Sequence, residues 1–330
     1  MSELRGRISG CGSYVPEFIL SNAGIEKMVE TTDAWITART GIKQRRITLN
    51  EKTSVVAAKA AKEALAAASV SPRDIDLVIT GTVTPDMVFP STSCFVQQEL
   101  GIRPGIPAFD ISAACSGFLY ALDCADKYIR AGGVKKALVI GVDIFSRILD
   151  WTDRATCVLF GDGAGAVVLT ETRGKSGILS SHIHSDGRQW EMLYTPGSIG
   201  SNPFEERKHL PGPRNAYLKM KGNETFKVAV RTMGGAIKEE LQANSLKPSD
   251  IALLIPHQAN IRIIDAVGER LGLSSGQVFS NIDRYGNTSA ASIPIALDEA
   301  LKAGKIKKGD IVMFVSFGGG LTWASAAVRW

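Results

Sequence analysis

The stretch Ser69-Val-Ser-Pro-Arg-Asp-Ile-Asp-Leu-Val-Ile79 returns 176 residues further on as Ser245-Leu-Lys-Pro-Ser-Asp-Ile-Ala-Leu-Leu-Ile255, identical at six of eleven positions. Just upstream, Lys62-Glu63-x-Leu65 matches Lys238-Glu239-x-Leu241 at the same offset. A further pair, Ala131-Gly-Gly-Val-Lys-Lys136 and Ala303-Gly-Lys-Ile-Lys-Lys308, follows in the same order at an offset of 172. Matched blocks in one order at nearly one spacing mark a duplicated unit, each copy about half the chain. Apolar runs alternate with helical patterns in both copies. Each half is therefore expected to be a mostly parallel sheet covered by helices, the two halves related by a pseudo-twofold axis. The division is expected at 1–175 and 176–330.

Length and composition set the frame. A chain of 330 residues with 45% hydrophobic and 22% charged residues is long enough for a large core and reads as an ordinary globular protein. The net charge of +5 suggests attraction to anionic ligands or an acidic partner. With no Lys/Arg block and no basic stripe interleaved with aromatics, nucleic acid is not expected as a partner. No apolar run approaches the roughly 18 residues of a membrane span, so no membrane association is expected. Five cysteines at irregular spacing, without CxxC and without a signal-peptide pattern at the start, point to reduced thiols and a cytoplasmic location.

Along the chain, Arg7–Tyr14 reads as a strand with a bulge or turn at Gly10-Cys11-Gly12. That pair of glycines lacks the third glycine and the helix of a dinucleotide site. Ser21 or Asn22 caps a short helix running to Glu30, and Asp33 caps another over Ala34–Thr40, stopped by Gly41. Trp35 and Arg39 share a face of that helix. They form either a holder for a purine ring and phosphates or a plain surface cation–π pair. Thr53–Ala68 is a clear alanine-rich helix, Asp76–Thr80 a buried strand, Pro85–Ser93 a loop and Cys94–Leu100 a helix. The segment Gly161-Asp-Gly-Ala-Gly165 reads as a turn between strands that permits close backbone packing. Pro196–Tyr217 is irregular, with Pro203, Pro211 and Pro213, and is expected to rim a site.

Chemistry concentrates at Phe109-Asp-Ile-Ser-Ala-Ala-Cys115-Ser-Gly-Phe118. Cys115 stands at a strand-to-helix junction, where free N–H groups and the helix dipole favour a thiolate. It is either a nucleophile or a small buried core thiol. By the repeat, the strand near Leu77 corresponds to the one ending in Pro256-His257-Gln-Ala-Asn260. The helices after Cys115 and Asn287 correspond through Ala121-Leu-Asp and Ala296-Leu-Asp. Sites in such sheets lie at strand C-terminal ends, so Cys115, His257 and Asn287 are expected to be neighbours. A solvent-exposed loop role for His257 and a helix-capping role for Asn287 are the alternatives. Phe317-Gly-Gly-Gly320 after a buried strand allows a backbone N–H to serve as an oxyanion hole, or simply makes a tight connection. His182 and His184 alternate on one strand face without a partner at zinc-ligand spacing, so no metal is expected. His209 carries no signal.

Six stretches together are recognisable: Asp33-Ala-Trp-Ile-Thr-Ala-Arg-Thr-Gly-Ile42, Ala113-Ala-Cys-Ser-Gly117, Phe160-Gly-Asp-Gly-Ala-Gly165, Pro256-His-Gln-Ala-Asn260, Gly286-Asn-Thr-Ser-Ala290 and Phe317-Gly-Gly-Gly320. In this order the chain resembles the β-ketoacyl-acyl-carrier-protein synthase III family over essentially its whole length. The resemblance implies a duplicated thiolase-like α/β fold of αβαβα layers, a homodimer, and a triad at Cys115, His257 and Asn287. It implies a coenzyme A site at Thr31, Trp35, Arg39 and Arg154, and a pantetheine channel lined by Asn223, Phe226, Ala259 and Asn260. Gly319 N–H and Cys115 N–H would form the oxyanion hole. Phe89 would reach the partner subunit's acyl pocket, and Lys227, Arg262 and Arg270 would dock an acidic carrier protein. The sequence departs from the family's pattern at Ala155, where glycine is common, at Glu269, where a basic residue is common, and in a longer stretch over 203–218.

The implied reaction is a decarboxylative condensation of an acyl-CoA, acetyl-CoA by expectation, with malonyl-carrier protein through an acyl-Cys115, without metal or redox cofactor. Thiolases use a second cysteine near the C-terminal glycines, and no cysteine follows Cys157. Chain-elongating synthases place a histidine where Asn287 stands. A starter enzyme of secondary metabolism, making a quinolone or a long-chain ketone, shares the triad. A non-catalytic acyl-CoA or carrier-protein binding module is the alternative from another class.

Overall fold

A computed structural model of the chain describes residues 3–196 and 217–330. His209 and the prolines at 203, 211 and 213 lie outside the described residues, as does nearly all of the stretch expected to rim the site. In the first half the elements run β1 (Arg5–Tyr14), β2 (Ile19–Ser21), α1 (Asn22–Ile25), α2 (Asp33–Thr40), β3 (Gln44–Arg46), α3 (Thr53–Ala68), β4 (Leu77–Gly81), α4 (Thr92–Leu100), β5 (Ala108–Ile111), α5 (Gly117–Arg130), β6 (Lys136–Ile144), α6 (Arg154–Cys157) and β7 (Asp162–Thr172). The second half continues with β8 (Gly177–Ser185), β9 (Leu193–Tyr194), β10 (Lys219–Met220), α7 (Gly222–Ala243), β11 (Ile251–Pro256), α8 (Ile261–Leu271), α9 (Ile282–Tyr285), α10 (Ser292–Lys302), β12 (Ile311–Gly318) and β13 (Thr322–Arg329).

Two sheets carry the architecture, ordered β1-β7-β6-β4-β5 and β8-β13-β12-β11. Strand for strand the orders agree. Even β5 has a counterpart, reduced to a single parallel bridge between Leu254 and Val278. The expectation of mostly parallel sheets is corrected. β4 pairs in parallel with β5 and β6, and β11 with β12, but the β1–β7, β6–β7, β12–β13 and β8–β13 pairs are antiparallel. For β12 and β13 the reason is connection length. Only residues 319–321 join β12 to β13, too few for the crossover that a parallel pair needs.

Three of the hydrophobic cores hold the five layers together, the middle one serving both faces of the inner helices. α3 packs with Val96 and Leu100 of α4 on one face of the first sheet. α7 and α8 cover the outer face of the second. Between the sheets lie α5 and α10, whose Phe118, Leu119, Leu122, Ile293 and Leu297 meet strands of both halves. Each such side chain contributes about 1.5–3 kcal/mol by leaving water.

The repeat is also written in the backbone. α3 and α7 are followed by left-handed serines, Ser69 at φ 54° and Ser245 at φ 53°. Short 3-10 turns at Pro72–Asp74 and Pro248–Asp250 then lead into β4 and β11. A second pair of left-handed residues, Ala114 (φ 47°) and Ser289 (φ 52°), opens the 3-10 turns that precede α5 and α10. Cys115 is therefore matched by Ala290. Asn287 lies three residues earlier, which corrects the expectation that it begins the equivalent helix.

Local readings are adjusted at three places. Thr32, not Asp33, caps α2, its hydroxyl accepting from Trp35 N at 3.1 Å. α1 ends at Ile25 rather than Glu30. Gly163 and Gly165 lie inside β7 rather than in a turn, and Gly165 packs so tightly on α10 that a Cβ there would come 2.7 Å from Ile295 N.

Candidate active site

Cys115 sits in the Ala114–Ser116 turn between β5 and α5 and is only 4% exposed. The expected thiolate is not what this setting favours in the free protein. Burial pushes the thiol up to about 12, with the nearby Asp143 charge adding to the rise, while a hydrogen bond from Ser289 and the residue's own N–H oppose it. Ser289 Oγ stands 3.5 Å from Sγ. Gly318, at the end of β12, presses against the same residue, since a Cβ there would lie 2.7 Å from Cys115 N.

His257 follows β11 and is 1% exposed, so it is not an idle surface residue. Burial drives its imidazole down to about 3 and keeps it neutral. Nδ1 meets Ser292 Oγ at 2.7 Å. The Ser292 oxygen also accepts from Gln258 N at 3.4 Å, and with Nδ1 engaged by this serine the Nε2 side of the ring is the one left for a substrate. Asn287 is 6% exposed. Its backbone is held by Leu159 O at 2.9 Å and Gly161 N at 3.0 Å. Its Oδ1 accepts from Ser289 N at 2.9 Å, a local turn rather than a helix cap.

Cys115, His257 and Asn287 line one cavity of about 610 Å³. Trp35, Arg39, Asn223, Phe226, Ala259 and Asn260 line it as well, as do Lys227 and Arg262, both exposed. At its outer end the Arg39 and Arg154 guanidinium carbons lie 5.7 and 5.0 Å from the Trp35 ring centroid. The surface cation–π reading thus describes the ring's present partners. Arg154 also donates to Glu30 O at 3.0 Å. Thr31 does not line the cavity, and its hydroxyl oxygen is buried without a hydrogen-bond partner. Asn260 caps α8 by accepting from Arg262 N at 2.9 Å and donates to Arg39 O at 3.1 Å, tying α2 to α8. Arg262 lies over Phe226 at 5.3 Å. Arg270 is exposed in the last turn of α8, with its stem against Gly234.

A second cavity of about 380 Å³ also reaches Cys115 and includes Gly319, Phe145, Leu193, Leu218 and Thr322. Cys115 stands where the two meet. Phe89 lines neither cavity of its own chain and is 81% exposed beside the exposed Met87 and Val88. Ala155 lies within helix α6, a conformation that alanine adopts readily, so the missing glycine imposes no strain. Glu269 is exposed on α8. His182 and His184 bond Glu240 at 2.9 Å and Glu239 at 2.8 Å, joining β8 to α7. Among the described residues, no group of three or more His, Cys, Asp or Glu is placed to hold a metal. No described helix is long and apolar enough to cross a membrane.

Four contributors escaped the sequence reading: Ser289, Asp143, Ser292 and Arg45. Arg45 is wholly buried, donates to Asn22 Oδ1 at 2.9 Å and Val158 O at 2.7 Å, and braces the segment that holds Asn287. Burial lowers its pKa to about 10. Ser289 lies within the quoted Gly286–Ala290 stretch and was within reach. Asp143 and Arg45 lie in other segments, and only the fold brings them near.

Profiles of the 3-oxoacyl-[acyl-carrier-protein (ACP)] synthase III family match residues 109–187 and, for its C-terminal part, 241–330. Beta-ketoacyl-[acyl-carrier-protein] synthase III of Alkalilimnicola ehrlichii is 53% identical over 325 residues, covering 98% of this chain and 99% of that protein. The crystal structure of 3-oxoacyl-[acyl-carrier-protein] synthase III from Aquifex aeolicus is similar with a TM-score of 0.92 at 49% identity, covering 98% of this chain and all of that one. The priming beta-ketosynthase of the R1128 polyketide pathway gives a TM-score of 0.91 at 33% identity, over 100% of this chain and 98% of that one. The fold is thiolase-like and the protein is an enzyme, an acyltransferase of the condensing class. The chain belongs to the β-ketoacyl-[acyl-carrier-protein] synthase III family.

Proposed function

We propose that this enzyme condenses a short acyl-CoA, acetyl-CoA first among them, with malonyl-acyl carrier protein to give 3-ketoacyl-carrier protein, CoA and CO2, the initiating step of fatty-acid synthesis. The observation that carries the reading is the position of Cys115, at the meeting of two cavities with His257 and Asn287 on the larger one. Full-length identity of 53% to a synthase III, against 33% to the polyketide priming enzyme, favours the primary pathway.

Cys115 sulfur attacks the thioester carbonyl, with the N–H groups of Cys115 and Gly319 receiving the oxyanion. CoA departs through the larger cavity, whose Trp35, Arg39 and Arg154 end suits an adenine and phosphates, with Thr31 beside it. Asn223, Phe226, Ala259 and Asn260 line the pantetheine path. Malonyl-carrier protein then enters, its acidic surface meeting Lys227, Arg262 and Arg270. His257 Nε2–H and the Asn287 amide donate to the thioester carbonyl and stabilise the enolate formed as CO2 leaves. That carbon attacks the acyl-cysteine. A neutral imidazole with its proton on Nε2 suits this donor role, and no metal is needed.

The protein is cytoplasmic in this reading, in keeping with five unpaired cysteines. It acts as a homodimer, with the exposed Phe89 loop reaching the partner's acyl pocket. The halves 1–175 and 176–330 are its two structural units. Incubation with acetyl-CoA should add one acetyl mass to Cys115 and none to Cys115→Ala. Acetyl transfer to Cys115→Ala at the wild-type rate would refute the assignment.

A further inference from the structure

Cys115 meets two cavities lined by the residues of the proposed mechanism. The turn before α10 touches its sulfur as well, through a side chain to which that mechanism gives no task. Ser289 Oγ donates to Cys115 Sγ at 3.5 Å. Ser289 is fully buried and lines neither cavity, so its hydroxyl addresses the sulfur rather than the substrate paths. The turn that carries it is fastened at successive positions. Ser289 N donates to Asn287 Oδ1 at 2.9 Å, Ala290 N to Asp143 Oδ2 at 3.3 Å and Ala291 N to Thr288 O at 3.1 Å. Ser289 itself is held at φ 52°, a conformation that costs a residue with a side chain free energy and persists only where its surroundings impose it. Ala114 keeps the same conformation in the first half at φ 47°, without a hydroxyl. The backbone shape is common to both copies, and the hydroxyl is present only where a sulfur stands opposite.

We propose that Ser289 is a further catalytic residue of this site, the hydrogen-bond donor that stabilises negative charge on the Cys115 sulfur. This rests on the acyl-Cys115 reading. A sulfur that carries charge can only accept, and Ser289 Oγ–H is placed to give. Charge gathers on Sγ twice in a turnover. It does so as the thiol loses its proton and the sulfur electron pair forms the bond to the acyl carbon. It does so again when that C–S bond breaks in condensation and its electron pair returns to the sulfur. In the acyl-enzyme between these events the thioester sulfur is a poor acceptor. The bond is therefore strong where charge develops and weak in the resting intermediate, and that difference accelerates both half-reactions. Ser289 keeps its own proton in each step. A neutral donor also suits a thiol that is uncharged at rest, since it supports a transient thiolate without holding a permanent one.

The variants are Ser289→Ala and Ser289→Gly. Alanine fits because Ala114 occupies the equivalent turn, and glycine adopts a left-handed conformation without steric cost. Single-turnover acetylation of Cys115 by acetyl-CoA would be followed by quenched-flow mass spectrometry. Both variants should acetylate about tenfold or more slowly, with the half-saturating acetyl-CoA concentration within about twofold of the wild type. Alkylation of Cys115 by iodoacetamide without substrate should slow by about threefold or more, a smaller loss because a more basic thiolate is also more nucleophilic. Wild-type acetylation in either variant overturns the proposal, and so does alkylation at or above the wild-type rate. A rise in half-saturating concentration that accounts for the whole loss overturns it too, since it reports a distorted channel. A wild type that takes up no acetyl group refutes the acyl-enzyme reading itself, and the alkylation rates then decide the role of Ser289 alone.

Discussion

Burial acts on Cys115 and His257 in opposite senses, lifting the thiol to about 12 and lowering the imidazole to about 3. Between those values both are uncharged, so the pair does not start as thiolate and imidazolium. In the proposed mechanism His257 therefore works as a hydrogen-bond donor, and the thiol proton leaves only as attack begins. Asn287 forms no hydrogen bond with Cys115, and its backbone is fastened to residues 159–161. Asn287→Ala should therefore keep acetyl transfer to Cys115 while malonyl decarboxylation falls by about 100-fold or more, measured as CO2 release. Wild-type CO2 release in that variant would remove Asn287 from the second half-reaction. Cys115, His257 and Asn287 were legible because each stands in an unusual local pattern of small or polar residues. Asp143 was not, since in Gly-Val-Asp-Ile it reads as the polar end of a strand. Its burial is satisfied by donors from positions 82–84 and 290.

At the scale of elements, β1 lies very close to α3. A Cβ on Gly12 would come 2.3 Å from Ala64 N, and one on Gly10 2.4 Å from Ala64 O. Those two glycines were read as a bulge or turn, and the β1–β7 register does shift between Ile8 and Gly10. Their larger effect is to let helix backbone lie on strand backbone, with the alanines of α3 completing the fit. Gly12→Ala should therefore destabilise the protein by about 1–3 kcal/mol through overpacking. Chemical denaturation would detect this, and an unchanged midpoint would show that β1 shifts freely. The span of α3 was readable to the residue because an alanine-rich composition with Lys and Glu on one face defines it. The sense of β7 and β13 was not, because an apolar strand looks the same whichever way its neighbour runs.

At the scale of the molecule, the inner helices α5 and α10 share one core with strands of both sheets. Neither 1–175 nor 176–330 alone would cover that apolar surface. The two pieces produced separately should aggregate, whereas co-production should recover a soluble complex, as size-exclusion chromatography would test. A soluble monomeric half would show that the shared core is dispensable. The duplication itself was legible in the Ser69–Ile79 and Ser245–Ile255 stretches, but the matching turns at Ala114 and Ser289 were not, since their side chains have diverged and only the backbone agrees. Those turns pack against each other, and the contact between Cys115 and Ser289 crosses from one half to the other. For a half-length ancestor that paired about the same axis, this contact would have been a subunit boundary formed twice over. In the single chain the two matched positions differ, one carrying the Cys115 sulfur and the other Ala290. The floor of the present site is in that sense a fossil interface with one side still at work.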